Sequence, residues 1–223
     1  MKFSEHFTPH KNLAEMLLAE AVGGRGDSSH DASHLLRVWN NVQLISAAEG
    51  GDREVLVAAT LLHDCVHVEK DSPLRAKASQ LAAEKALAIL HQLGWNKQKA
   101  EMVGHAIEAH SFSAQIEPRT TEAKVLQDAD RLDAIGYIGI ARCFYVSGRL
   151  GRSLYDPDDP IGTDRDLDDM TFAIDHFQTK LLKLSVSFQT KAGFELAKKR
   201  HEVVQEFLDN FVAEVAGGVE RIE

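Results

Sequence analysis

Apolar residues recur along this chain at steps of three and four, the period of a helix with one buried face. Leu13, Met16, Leu17 and Val22 mark such a face in residues 10–22, and Leu35, Val38, Val42 and Ile45 mark another in 31–49. The run Val55–Leu62 is apolar on nearly every side and follows Asp52, a natural N-cap, so it reads as a helix buried at the centre of the fold. Residues 76–93 end at Gly94, which suits a C-cap. Further helical patterns cover 97–110, 119–134, 136–148, 167–188 (Leu167, Met170, Ile174, Phe177, Leu181, Leu184) and 194–216. Strand alternation and hairpin signals are lacking. The pattern predicts an all-α protein: a single domain over 1–223, with a core at about 10–190 and the helix 194–216 packed on it.

Loops show in composition. Gly23–Ser29 is glycine-rich, and Lys70–Pro73 is polar and ends in proline. Ser147–Asp166, with Gly148, Gly151, Pro157, Pro160 and Gly162, is the longest non-helical stretch. A loop of that size is either a lid or a long surface connection, and Tyr155 is its one aromatic residue for meeting a substrate.

Bulk properties narrow the function classes. The length of 223 residues fits one domain at roughly 150 residues each. No apolar run is long enough to cross a bilayer, and the charged Met1–Lys11 start does not read as a signal peptide. The expectation is a cytoplasmic protein without a membrane partner. A formal net charge of −9 argues against binding a nucleic acid polymer. Cys65 and Cys143 are too few for a disulfide framework, whereas there are 11 histidines, seven of them in the first 93 residues. A metal site here would be built from imidazole and carboxylate.

The strongest chemical signal is His63-Asp64, a polar pair at the end of the apolar run. It is either a solvated helix terminus or a pair facing a cavity, where an unpaired carboxylate would need a cation. His34 sits within a turn of the apolar face of its helix, and Asp130 lies in Gln127–Asp133 beside Val125, Leu126 and Leu132. Two imidazoles and two carboxylates from three helices suit Mn²⁺, Fe²⁺, Mg²⁺ or Zn²⁺ with positions left for water and substrate. His30-Asp31-Ala32-Ser33-His34 and His63-Asp64-Cys65-Val66-His67 share the His spacing of zinc proteases, but Asp stands where that motif needs the longer Glu.

His34…His63-Asp64…Asp130 resembles the H…HD…D pattern of the HD-domain metal-dependent phosphohydrolases. The segments Ser29–Val38, Leu61–Asp64, Ser72–Ser79, Ala109–Ser113 and Asp128–Gly136 look like a subgroup of small, stand-alone bacterial HD hydrolases that includes a nucleotide pyrophosphohydrolase. The resemblance implies an HD-type helical bundle and one divalent metal ion held by His34, His63, Asp64 and Asp130. Mn²⁺ is the expected ion, with Mg²⁺, Fe²⁺, Co²⁺, Ni²⁺ and Zn²⁺ also compatible. It implies hydrolysis of a small phosphorylated substrate, a nucleotide or related phosphoester or phosphoanhydride. Asp64 would orient or deprotonate the attacking water, while Arg75, Lys77 and His110 would neutralise phosphate charge, with Ser79 near them. His105 is five residues from His110 and so off its face. His67 stands where related nucleotidases carry an acid, a departure that leaves that position without a carboxylate base. The alternative is a non-catalytic HD-type module that senses a nucleotide or metal.

Overall fold

The Asp52 carboxylate accepts hydrogen bonds from the backbone N–H of Glu54 at 2.9 Å and of Val55 at 3.3 Å, which starts the helix Arg53–Leu62. Every residue from Val55 to Leu62 is buried, as an element apolar on all sides requires. The computed structural model describes residues 2–22, 32–68, 74–111 and 114–218. Among these it is all-α, with nine α-helices: Lys11–Val22 (α1), Ala32–Glu49 (α2), Arg53–Leu62 (α3), Ala78–Gln92 (α4), Lys97–His110 (α5), Thr121–Asp133 (α6), Gly136–Arg149 (α7), Asp175–Thr179 (α8) and Lys191–Val215 (α9). The predicted loops Gly23–Ser29 and Lys70–Pro73, and His30 and Asp31 of the protease-like spacing, lie outside the described residues.

The chain divides into two compact units, Met1–Asp130 with Gln189–Gly193, and Arg131–Phe188 with Phe194–Glu223. In the first, α3 is the centre, packed by α1, α2, α4 and α5, and α4 runs against α5. Burying side chains such as Leu56, Leu61 and Leu62 contributes about 1.5–3 kcal/mol each. Gly104 lets α5 approach α4 closely, since a Cβ there would stand 3.1 Å from the Leu87 side chain. Trp39 stacks on Phe7 and donates its indole N–H to the His6 carbonyl at 2.8 Å, closing one end of the core. At the start of α9, Asp128 accepts from the N–H of Gln189 and of Thr190, each at 2.8 Å, and from the Thr190 hydroxyl at 2.7 Å. Thr190 Oγ1 in turn accepts from Gly193 N, so α9 begins three residues before the predicted 194.

The second unit departs from the sequence pattern at 167–188. A single helix is predicted there, but the chain turns until the short α8 and a 3₁₀ segment at Leu181–Val186. The physical reason is competing backbone partners: Thr171 and Ala173 pair with Ser153, and Ile174 N donates to the Leu154 carbonyl at 2.9 Å. The buried Asp175 carboxylate also takes the Arg165 guanidinium at 2.6 and 2.9 Å and the Asp168 N–H at 2.7 Å. Met170, placed on the predicted apolar stripe, is exposed. The helix before it runs on to Arg149, so the long loop begins at Leu150, and Tyr155 lies edge-on to Phe211 at 5.8 Å. Both cysteines are free and buried, and burial pushes the Cys143 thiol up to about 11.

Candidate metal centre

Four elements of the first unit bring their polar ends to one point. His34 is the third residue of α2, His63 is the C-cap of α3 with Asp64 directly after it, His110 is the last residue of α5, and Asp130 lies in the last turn of α6. His34, His63 and His110 are buried, while Asp64 and Asp130 keep 26% and 28% of their side chains exposed, so the carboxylates form the open side. Adjacent residues of a helix interior diverge; His63 and Asp64 converge because α3 ends at Leu62.

The distances are slightly longer than those within a coordination shell. His34 Nε2 and His63 Nε2 stand 3.3 Å apart. Asp130 Oδ1 lies 3.5 Å from His34 Nε2 and 3.9 Å from His63 Nε2, and Asp64 Oδ2 lies 3.8 and 3.6 Å from the same atoms. Donors about 2.1 Å from a shared ion stand roughly 3.0–3.4 Å apart at octahedral or tetrahedral angles, slightly closer than here. His63 Nδ1 is 2.8 Å from the Thr60 carbonyl, which can only accept, so that nitrogen carries the proton and a neutral ring turns a lone pair inward at Nε2. His110 is held alike by the Ile107 carbonyl at 2.6 Å, with Nε2 3.7 Å from Asp64 Oδ1. Lone pairs and carboxylate oxygens facing one point repel unless a cation lies between them, so the donor set fits a divalent ion. Overlapping triads of these donors have their ligand atoms within 4.8 Å of one another, among them His34, His63 and Asp130, and His63, Asp64 and His110.

Burial, and next the neighbouring His63, push the His110 imidazole below its ordinary range, against the pull of Asp130 and Asp64. His110 is therefore neutral near pH 7, a lone pair rather than a positive charge. His105 turns away, with Nδ1 2.8 Å from Glu108 Oε1 and Nε2 accepting the Arg119 N–H. His67 is exposed and belongs to neither triad, so the zinc-protease spacing of His63 and His67 does not become a shared site.

Arg75 opens the 3₁₀ turn Arg75–Lys77 ahead of α4; its side chain lies outside the described residues, as do Phe112 and Ser113. Lys77 is exposed. Ser79 is buried and donates its hydroxyl to the Glu108 carbonyl at 2.9 Å, so it fastens α4 to α5 and its proton is not offered to a phosphate. Sequence reasoning passed over two buried amides beside the donors. Asn41 Nδ2 donates to the Ala129 carbonyl at 2.9 Å, and Gln127 Nε2 donates to the Ala109 carbonyl at 2.5 Å. The available signal was Asn41 itself, a polar residue two turns after His34 among the apolar positions Val38, Val42 and Ile45.

Comparison with known proteins reaches the same segment. The HD domain family model matches residues 31–135, which include all five residues of the cluster. Bacillus subtilis (strain 168) YpgQ is 32% identical over 194 residues, 85% of this chain and 86% of that protein. The crystal structure of an HD-superfamily hydrolase from Bacillus thuringiensis superposes with a TM-score of 0.70 at 31% identity, covering 93% of this chain and 98% of that one. That of Bacillus subtilis YpgQ in complex with ADP superposes with a TM-score of 0.68 at 32% identity, covering 92% and 97%. By likeness along nearly its whole length as well as by the matched segment, the chain belongs to the HD-domain superfamily.

Proposed function

We propose that this protein is a divalent-metal-dependent phosphohydrolase that cleaves a phosphoanhydride or phosphoester of a nucleotide. The observation that carries the reading is the convergence of Asp64 and Asp130 oxygens on the Nε2 atoms of His34 and His63 at 3.5–3.9 Å, with those two nitrogens 3.3 Å apart, the His63 proton held outward by the Thr60 carbonyl and the carboxylates on the open side. These four residues would hold the ion, for which Mn²⁺ is our assignment. When bound, a divalent ion supplies an acidified water and a Lewis acid for a phosphoryl oxygen. The relative crystallised with ADP supports a nucleotide as the phosphorylated partner.

The chain's own groups then divide the work. Asp64 faces the imidazoles of His34 and His63 with Oδ2 and His110 with Oδ1, which suits it to orient a water molecule and take up its proton. Neutral His110 offers Nε2 as the next acceptor beside it. Arg75 and Lys77, on the turn before α4, are assigned to the phosphate by residue type and position, since guanidinium and ammonium groups neutralise charge that develops on phosphoryl oxygens.

The test is a screen of nucleotides and other phosphorylated metabolites with Mn²⁺, Mg²⁺, Co²⁺ and Zn²⁺, beside Asp64→Ala. The expected result is release of phosphate or pyrophosphate from nucleotides that requires metal and Asp64. Hydrolysis that survives metal removal or Asp64→Ala would overturn the reading, as would a screen in which every substrate is left intact.

A further inference from the structure

Asp130 is the ligand candidate farthest along the chain from the others, and it must meet His34 from a different helix. A peptide group is planar, so the Ala129 carbonyl and the Asp130 N and Cα move as one rigid unit. Asn41 grips that unit: its Nδ2 donates to the Ala129 carbonyl at 2.9 Å, and the side chain is buried. Asn41 also shares α2 with His34, seven residues on and therefore on the same side of the helix. One hydrogen bond thus ties the helix that carries His34 to the peptide plane that carries Asp130.

Satisfying a bare carbonyl does not account for this bond. Because α6 continues to Asp133, the Ala129 carbonyl lies inside the helical hydrogen-bond ladder, so Asn41 is an additional donor. An aliphatic residue at 41 would continue the apolar face of Leu35, Val38, Val42 and Ile45, all fully buried. Placing an amide there costs desolvation unless its bond is made. The Asp130 side chain is partly open to solvent, so packing around the carboxylate does little to fix it, and its backbone must be placed instead. His34 Nε2 and Asp130 Oδ1, the two atoms this tie relates, stand 3.5 Å apart.

We propose that Asn41 is a positioning residue that holds Asp130 at ligand distance from His34. The proposal rests on the metal-centre reading above. Its test is Co²⁺ binding, followed by competition with a chelator and by the visible spectrum of the Co²⁺ protein, in wild type, Asn41→Ala, Asp130→Ala and the double variant. Melting of each metal-free protein is recorded alongside. Asn41→Ala should weaken Co²⁺ binding about 10–100-fold, the usual effect of losing an outer partner of a metal site, and alter the visible band. In the Asp130→Ala background the same change should cost no further affinity, while its effect on metal-free melting persists. Ile45→Ala, a buried change on the same helix, should lower melting but leave Co²⁺ affinity within about threefold. Should Asn41→Ala fail to fold, Asn41→Ser, whose hydroxyl falls short of the carbonyl, is read in its place. Wild-type affinity and spectrum in the Asn41 variant would overturn the proposal, as would an equal loss in the Asp130→Ala background. If wild type binds no Co²⁺, or Asp130→Ala binds it unchanged, the metal-centre reading itself falls and takes Asn41 with it.

Discussion

In the first unit three buried histidines turn ring nitrogens toward two partly exposed carboxylates. In the second unit rings gather instead. Phe177 stacks on Phe207 at 5.6 Å, and Phe144 and Phe211 complete the cluster with Tyr155 at its edge. Its buried carboxylates are answered within the unit, Asp133 by Arg142 at 2.9 Å and Asp175 by Arg165, whose guanidinium also lies over the Phe172 ring at 4.7 Å. The second arrangement closes on its own partners, whereas the first presents a donor set that fits a cation. Substitutions in the ring cluster should therefore act on stability, and substitutions in the histidine cluster on binding and chemistry.

Four measurements press on that contrast, in descending order of effect. Phe177→Ala removes the fully buried ring of the second unit and should cost about 3–5 kcal/mol of stability, read by urea unfolding. A loss under about 1 kcal/mol would show that the cluster is not a core. Asp64→Ala should lower metal-dependent hydrolysis by about 10²–10³-fold or more, equivalent to roughly 2.7–4 kcal/mol in the barrier, while metal-free melting changes little. If melting of the metal-free variant collapses instead, Asp64 belongs to the fold rather than the site. Saturating metal should stabilise wild type by about 2.7 kcal/mol at a hundredfold excess over Kd, raising Tm by several degrees, and chelation should reverse it. The same addition should leave Asp64→Ala unmoved. Last, Asp52→Ala removes the cap of the central helix α3 and should cost about 0.5–2 kcal/mol without altering metal affinity. A shift in affinity there would mean that the two ends of α3 communicate.

The sequence was most informative where local physics decides. The all-apolar run Val55–Leu62 had to be buried, and it is the centre of the first unit. Asp52 caps it as its side chain and position suggest, and Gly94 takes a positive φ of 75° after α4. His34, His63, Asp64 and Asp130 were assembled as a set through the resemblance to the HD-domain pattern, and the structure brings their polar atoms together. The stretch 167–188 was misread because its apolar spacing is helical, while Ser153, Leu154 and Arg165 supply partners that no local window contains.

The chain by itself therefore determined the all-α character and the central helix, since each follows from side-chain period, while the residues of the candidate site were named by the resemblance of their motif. Tertiary structure alone decided the rest. The Thr60 and Ile107 carbonyls, each three residues upstream, hold the His63 and His110 rings locally, but only the fold brings those two rings to 4.9 Å of one another. The Glu108 carbonyl takes up the Ser79 hydroxyl, and Asn41 reaches across 88 residues to the peptide beside Asp130. A hydrogen bond is specified by where its partner stands, and for Ser79 and Asn41 the partner is placed by packing, not by neighbouring sequence.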